Sequence, residues 1–157
     1  MTTLHAEESM LIDARAEELY AVVADYRTGH PAILPRPYFQ EVVVEKGGVG
    51  AGTVIRGSVK VMGRVFPLHH LISEPEPGCV LQENELDKPG EFTQFKFEPV
   101  NGGAQTRVTI TTEFVLSPGL MGVMERLSKP GMARKMYRQE LSNLAEYVSS
   151  RKTVPAD

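Results

Sequence analysis

The sequence predicts an α+β domain in which a curved antiparallel β-sheet wraps a long C-terminal helix and encloses an apolar pocket. Three observations lead there. Between residues 38 and 116, runs rich in Val, Ile, Thr and Phe alternate with Gly- and Pro-bearing turns, the pattern of a meander of hairpins. The registers those turns impose gather apolar side chains on one face. After residue 117 the period becomes that of a long helix, with Tyr137, Leu141, Leu144 and Val148 on one stripe.

Taken in order, Leu4 to Ile12 is β-like at its end, and Asp13 stands as an N-cap whose carboxylate accepts from first-turn amides. A helix from Ala14 to Tyr26 follows, with Leu19, Val22 and Val23 on its buried face. Pro31, Pro35 and Pro37 then allow only a short helical turn around Ala32 to Leu34. Strands are predicted at about 38–46, 52–61, 64–74, 79–86, 91–99 and 105–116. Their separators include Met62-Gly63, Pro75-Glu76-Pro77-Gly78 and Asn101-Gly102-Gly103-Ala104. Ser117-Pro118-Gly119 opens a helix to about Val148, which Lys129-Pro130-Gly131 is expected to break or kink. Residues 1–150 thus form a single ligand-binding domain, and 151–157 a frayed tail.

A two-residue turn at Met62-Gly63 pairs Val59 with Phe66, Gly57 with Leu68 and Ile55 with His70. A four-residue turn at 75–78 pairs Ile72 with Leu81, His70 with Glu83 and Leu68 with Glu85. The turn at 101–104 pairs Phe97 with Val108, Phe95 with Ile110 and Thr93 with Thr112. One face then carries Tyr38, Val42, Ile55, Val59, Phe66, Leu68, Ile72, Leu81, Phe95, Phe97, Val108, Ile110 and Phe114; the other carries Glu41, Glu45, Arg56, Lys60, Gln94, Lys96, Glu98, Arg107 and Glu113. An apolar face needs a cover, and space left beneath the covering helix is where a small ligand binds.

Apolar residues make up 41% of the 157-residue chain and charged residues 24%, a balance that excludes a disordered segment or a membrane span. Met1 to Glu8 lacks a signal-peptide pattern, so a cytoplasmic location is expected. The net charge of −3, from 17 basic and 20 acidic residues, argues against a nucleic-acid partner. Cys79 is the single cysteine, which excludes an internal disulfide. His69 and His70 are adjacent on a strand and face opposite ways, so no metal site is expected. Gly48-Val49-Gly50-Ala51-Gly52 joins two strands rather than opening a helix and is no phosphate loop; no cofactor is expected.

Several stretches carry a family likeness: Ile12-Asp13-Ala14-Arg15-Ala16-Glu17-Glu18-Leu19-Tyr20 with Val23-Ala24-Asp25, Gly48-Val49-Gly50-Ala51-Gly52-Thr53, and Thr106-Arg107-Val108-Thr109 before the long helix. With the element order, they resemble the helix-grip fold of the START and birch-pollen-allergen (SRPBCC) superfamily. Within it the chain is most similar to the bacterial polyketide cyclase/dehydrase and lipid-transport group, over about residues 5 to 150. The resemblance implies a hydrophobic cavity between sheet and C-terminal helix, and names neither ligand nor reaction.

The expected cavity wall comprises Tyr38, Gln40, Ile55, Val59, Phe66, Leu68, His70, Leu81, Glu83, Glu85, Phe95, Phe97, Ile110, Thr112, Met124 and Tyr137. His70, Glu83 and Glu85 interrupt its apolar face, and His70 with Glu83 is the candidate catalytic pair, an imidazole opposite a carboxylate. The alternatives are a buried structural hydrogen bond or a face inversion caused by one bulge. His69 is expected to face solvent and His30 to sit near the cavity entrance. The leading expectation is binding or carriage of a hydrophobic small molecule: a lipid, isoprenoid, quinone or aromatic polyketide. A cyclase- or dehydratase-like enzyme and a protein-interaction module are the alternatives. No integral membrane association is expected; transient membrane contact through Lys129, Arg134, Lys135 and Arg138 is left open, as is a homodimer.

Overall fold

The structure, a computed structural model, describes residues 2–152. Strand β1 (Thr3–Ile12) leads into helices α1 (Ala16–Ala24) and α2 (Gly29–Ile33). Strands β2 (Val43–Lys46), β3 (Val54–Val61), β4 (Arg64–Glu76), β5 (Val80–Glu85), β6 (Phe92–Val100) and β7 (Gln105–Val115) follow, then helix α3 (Leu120–Lys152). The strands form one antiparallel sheet in the order β1-β7-β6-β5-β4-β3-β2. This is the α+β helix-grip architecture the sequence predicts. The tail expected to fray begins as helix at Arg151 and Lys152, and residues 153–157 lie outside the described residues.

Alternation along the strands produces the core. Ile55, Ile72, Leu81, Phe95, Phe97, Val108 and Ile110 are buried, as their shared face predicts. Leu19 and Val23 of α1, and Tyr137, Leu141, Leu144 and Val148 of α3, pack over them. Each fully buried Leu or Ile contributes on the order of 1.5–3 kcal/mol. β1 pairs with β7 along its whole length, from Thr3 opposite Val115 to Ile12 opposite Thr106, and α3 lies chiefly over β1.

The registers expected for β3–β4 and β6–β7 are those observed. Four expectations are corrected. In β4–β5, Cys79 N–H donates to Glu76 O, which closes a tighter turn, and a bulge lies between Ser73 and Glu76. His70 therefore stands opposite Glu85 and Ile72 opposite Glu83, two residues from the expected register, with the inward face unchanged. The strand expected at 38–46 contracts to β2 plus a single bridge between Phe39 and Val59, because the chain bends close over Gly57. A Cβ at Gly57 would lie 3.1 Å from Glu41 O.

Asp13 does not cap α1: its carboxylate accepts from Gln105 Nε2, and Arg15 occupies the N-cap position without a side-chain bond. Of the break or kink expected at Pro130, the break is absent: α3 continues as one helix of 33 residues. Proline removes one amide donor, and because Arg126 is an exposed residue its carbonyl can turn to water instead.

One carboxylate shapes the passage between α1 and α2. Asp25 Oδ1 accepts from the amides of Arg27 (3.0 Å) and Thr28 (3.2 Å), Oδ2 accepts from Gly29 N–H (3.4 Å), and the Thr28 hydroxyl also donates to it. His30 N–H donates to Asp25 O at 2.7 Å. The turn fits because Gly29 has no Cβ; one there would lie 2.5 Å from Val22 O. The Thr28 hydroxyl bond, opposed by slight burial and helped by the amides, lowers the Asp25 pKa. Asp25→Ala is expected to cost about 1–2 kcal/mol at neutral pH, measured by urea unfolding. Because the folded pKa lies below the unfolded one, this contribution is present above the ordinary carboxylate pKa and is lost as pH falls through the folded value.

Candidate functional site

Inside the grip lies a run of titratable side chains that alternates acid and imidazole. Strand β5 aims Leu81, Glu83 and Glu85 inward, while Gln82 and Asn84 join Gln94 and Ser73 in an amide network on the outer face. His70 comes from β4, directly opposite Glu85. The Asp25 turn delivers Tyr26 and His30 from the other side, and α3 contributes Glu140 from above. His30 and Glu140 are each only 3% exposed.

The contacts follow in sequence through space. His30 Nε2 lies 3.6 Å from Glu140 Oε1 and 3.5 Å from Glu83 Oε1. Glu83 Oε2 is 3.7 Å from His70 Nδ1, and His70 Nε2 is 3.3 Å from Glu85 Oε2. The first three separations are long for direct hydrogen bonds, leaving His70 Nδ1 and Glu140 Oε1 without a hydrogen-bond partner. Tyr26 OH donates to Glu83 Oε1 at 2.8 Å. Glu85 Oε1 accepts from Asp87 N–H (3.2 Å) and its Oε2 from His69 N–H (3.4 Å).

His30 Nδ1 lies 2.7 Å from Val23 O. A carbonyl only accepts, so Nδ1 carries the proton and Nε2 presents a lone pair towards the two acids whenever the ring is neutral. Tyr26 stacks on this ring at 4.4 Å between centroids, and Phe95 meets it edge-on at 5.5 Å. Beside the cluster the Thr93 and Thr112 hydroxyls are 2.7 Å apart, and Thr112 also bonds Tyr137 OH.

Burial and neighbouring charge set the protonation states. Burial, reinforced by the negative charge of Glu83, pushes the Glu140 carboxyl well above the usual range. Burial and Glu83 likewise raise the Tyr26 phenol. Burial disfavours charge on His70, but its bond to Glu85 and the charges of Glu83 and Glu85 outweigh this and raise its pKa above 6.5. Glu85 is penalised by burial too, yet His70 and the Asp87 amide bring its pKa below 4.5. The cluster thus contains a pair biased towards charge at one end and a carboxyl biased to neutrality at the other.

Of the predicted wall, Ile55, Leu81, Glu83, Glu85, Phe95, Phe97, Ile110, Thr112 and Tyr137 are buried; Tyr38, Val59, Leu68 and His70 are partly so. Gln40, Phe66 and Met124 are exposed. Gln40 donates to Pro37 O beside an outer cleft of about 220 Å³ that also touches Leu34 and Phe39. A second outer cleft, of about 340 Å³, lies between Tyr20, Cys79 and Phe97. Phe66 shares the face of Leu68, His70 and Ile72 yet is 45% exposed, so the concave face is covered at Ile72 and bare near the β3–β4 turn. Among the described residues, no group of three His, Cys, Asp or Glu side chains is arranged to hold a metal ion.

Two histidine placements are corrected. His30 lies in the interior rather than at an entrance, because the Asp25 turn folds it back under α1. His69 points outward as expected but is shielded, its side chain held between Glu45 (3.3 Å) and Asp87 (3.5 Å). Tyr26, His30 and Glu140 escaped the sequence reading as members of the cluster. The signal for Glu140 was present: it sits three residues after Tyr137 on the stripe that continues through Leu141, Leu144 and Val148.

Glu140→Gln is expected to raise the urea midpoint at neutral pH, since glutamine keeps the shape without an ionisable proton. With the folded pKa above the unfolded one, wild-type stability declines as pH rises past the unfolded value, so the gain should vanish below about pH 4.5. His70→Gln should behave oppositely above pH 6.5: its stability deficit relative to wild type is full below that pH and fades as pH rises through the folded His70 pKa. Paired unfolding curves at pH 4, 6 and 9 check both.

Residues 3–149 match the family model described as polyketide cyclase/dehydrase and lipid transport. No curated protein matches the chain. Among solved structures, KanY is similar at 24% identity and a TM-score of 0.80, over 95% of this chain and 99% of that one. The ZhuI aromatase/cyclase from Streptomyces sp. R1128 is 18% identical with a TM-score of 0.79, over 98% of each chain. Ara h 8.0201 is 14% identical with a TM-score of 0.61, over 95% of this chain and 99% of that one. At these identities the structures share the fold. The family match spans nearly the whole sequence, and the chain belongs to the polyketide cyclase/dehydrase and lipid-transport family.

Proposed function

We propose that the chain binds a hydrophobic small molecule with one oxygen-bearing end, the apolar body lying along the concave sheet and the oxygen meeting the His30–Glu83–His70 cluster. The observation that carries this reading is the buried run Glu140–His30–Glu83–His70–Glu85 within an otherwise apolar face. Unsatisfied polar atoms in an interior are costly, so their retention points to a partner. Glu140 Oε1 and His70 Nδ1 are two such atoms. A biased-neutral carboxyl offers an O–H and an imidazole offers either a lone pair or an N–H, which suits a carbonyl, phenol or carboxylic acid. Ligands of the lipid, isoprenoid, quinone and aromatic polyketide classes fit this description, and the family membership is consistent with them.

A second reading rests on the alternation itself. Ring closure of a poly-carbonyl chain followed by loss of water requires one group to take a proton from carbon and another to protonate the leaving hydroxyl. Carboxyl and imidazole groups at steps of 3.3 to 3.7 Å supply both roles, with His70 and Glu83 as the candidate pair.

Native mass spectrometry of the purified protein should reveal a non-covalent adduct that solvent extraction releases as an intact lipid-like or aromatic species. Glu83→Gln and His70→Ala should weaken its binding roughly tenfold or more, the scale of a lost charge-assisted hydrogen bond. Unchanged affinity and unchanged turnover of a poly-carbonyl substrate in both variants would remove the cluster from the ligand's site.

A further inference from the structure

At one end of the sheet, apolar side chains and basic side chains are exposed together. The connection between β5 and β6 marks this end: Leu86 N–H donates to His69 O, and Val115 N–H donates to Glu91 Oε1. The β3–β4 hairpin runs on beyond it to the Met62-Gly63 turn, and α3 begins beside it. Met62 (88% exposed), Val65 and Phe66 project from the hairpin, and Leu86 from the connection. The first turns of α3 add Leu120, Met121, Val123, Met124 and Leu127, the last 82% exposed. Helix residues become buried against the domain in a sustained way only from Ala133 onward. Monomeric surfaces seldom gather so many large exposed apolar side chains at one end without a partner.

Charge distinguishes what that partner is. Residues 60–66, 86–91 and 118–129 carry Lys60, Arg64, Lys88, Arg126 and Lys129 against Asp87, Glu91 and Glu125, a positive excess in a chain whose net charge is −3. Two of the three acids are engaged, Glu125 by Ser117 N–H (2.8 Å), Ser117 Oγ (2.7 Å) and Lys129, and Glu91 by Val115 N–H; Asp87 stands 3.5 Å from His69 Nδ1 without a hydrogen bond to it. Arg64 lies 5.9 Å over the Phe66 ring and Lys129 5.1 Å over the Phe114 ring, so the cations flank apolar groups rather than standing apart. Long basic side chains with heads at the headgroup level, and Met, Leu and Phe reaching into the acyl boundary, are the chemistry of an interfacial contact with anionic lipid.

We propose that this end of the molecule, formed by the β3–β4 turn and the first turns of α3, docks reversibly on an anionic bilayer surface. The bare part of the concave face, at Phe66, opens within the docked patch, so an apolar molecule would pass between bilayer and grip without crossing water. The docking itself does not depend on the ligand reading.

The test is co-sedimentation with vesicles of phosphatidylcholine alone and of phosphatidylcholine with 30% phosphatidylglycerol, alongside sedimentation velocity without lipid. The intact chain should pellet with the anionic vesicles, remain in solution with the neutral ones, and lose binding as salt rises. M121S/M124S and K88E/R126E should each lower vesicle affinity by roughly tenfold or more. All four positions are outside the core, and circular dichroism confirms folding. K46E, at the opposite end of β3's ladder, should change it by less than about twofold. Failure of the intact chain to bind anionic vesicles overturns the proposal, as does undiminished binding by both double variants. Concentration-dependent dimerisation that the same variants abolish, without vesicle binding, would assign the patch to a second copy instead.

Discussion

Removing a charge from water is the expense around which this interior is organised. Glu83, Glu85 and Glu140, with His30 and His70, sit where Leu81, Phe95 and Ile110 set a low local polarity. An isolated ion there would be untenable, and each group meets the problem differently. Glu85 takes two backbone amides and an imidazole. Glu83 takes a tyrosine hydroxyl and stands between two imidazoles. Glu140 has neither amide nor hydroxyl and answers by favouring its proton.

That arrangement separates the molecule into two regions. Where α3 covers the sheet, from Ala133 to Val148, the interior is closed by close packing and the polar cluster is desolvated. Towards the β3–β4 turn and the first turns of α3 the same sheet face continues without a lid, and Phe66 and Met124 stand in the open. A rigid polar end and an uncovered apolar end are the two requirements of a site that fixes one part of a molecule and tolerates variation in the rest.

Most of the fold was legible because it depends on periodicity. Alternation placed Ile55, Ile72, Leu81, Phe95 and Ile110 inward, and two turns of defined length were enough to give the β3–β4 and β6–β7 registers residue by residue. The site was legible only in part. His70, Glu83 and Glu85 could be found because they interrupt an apolar face within consecutive strands. His30 and Tyr26 could not, because their inward aim depends on a turn folded by Asp25 side-chain bonds that periodicity does not express. Glu140 lay between: it is carried on an apolar stripe whose spacing includes it, but a glutamate does not announce its own burial.

The extra residue in β4 between Ser73 and Glu76 carries a further consequence. Continued without it, the pairing of Glu76 with Val80 would set Ile72 opposite Asn84 and Leu71 opposite Glu85. Gln82 and Asn84 would then share a face with His70, and both carboxylates would share one with Leu71. The bulge acts as a phase shifter: a single inserted residue brings two hairpins of opposite parity into agreement. Glu74, within that insertion, accepts from Tyr20 OH (2.6 Å) and Ala51 N–H (2.9 Å), which pins the irregularity to α1 and to the glycine-rich loop. The chemical character of the interior, amide or carboxylate, is thus decided several residues away from it by one unit of strand length.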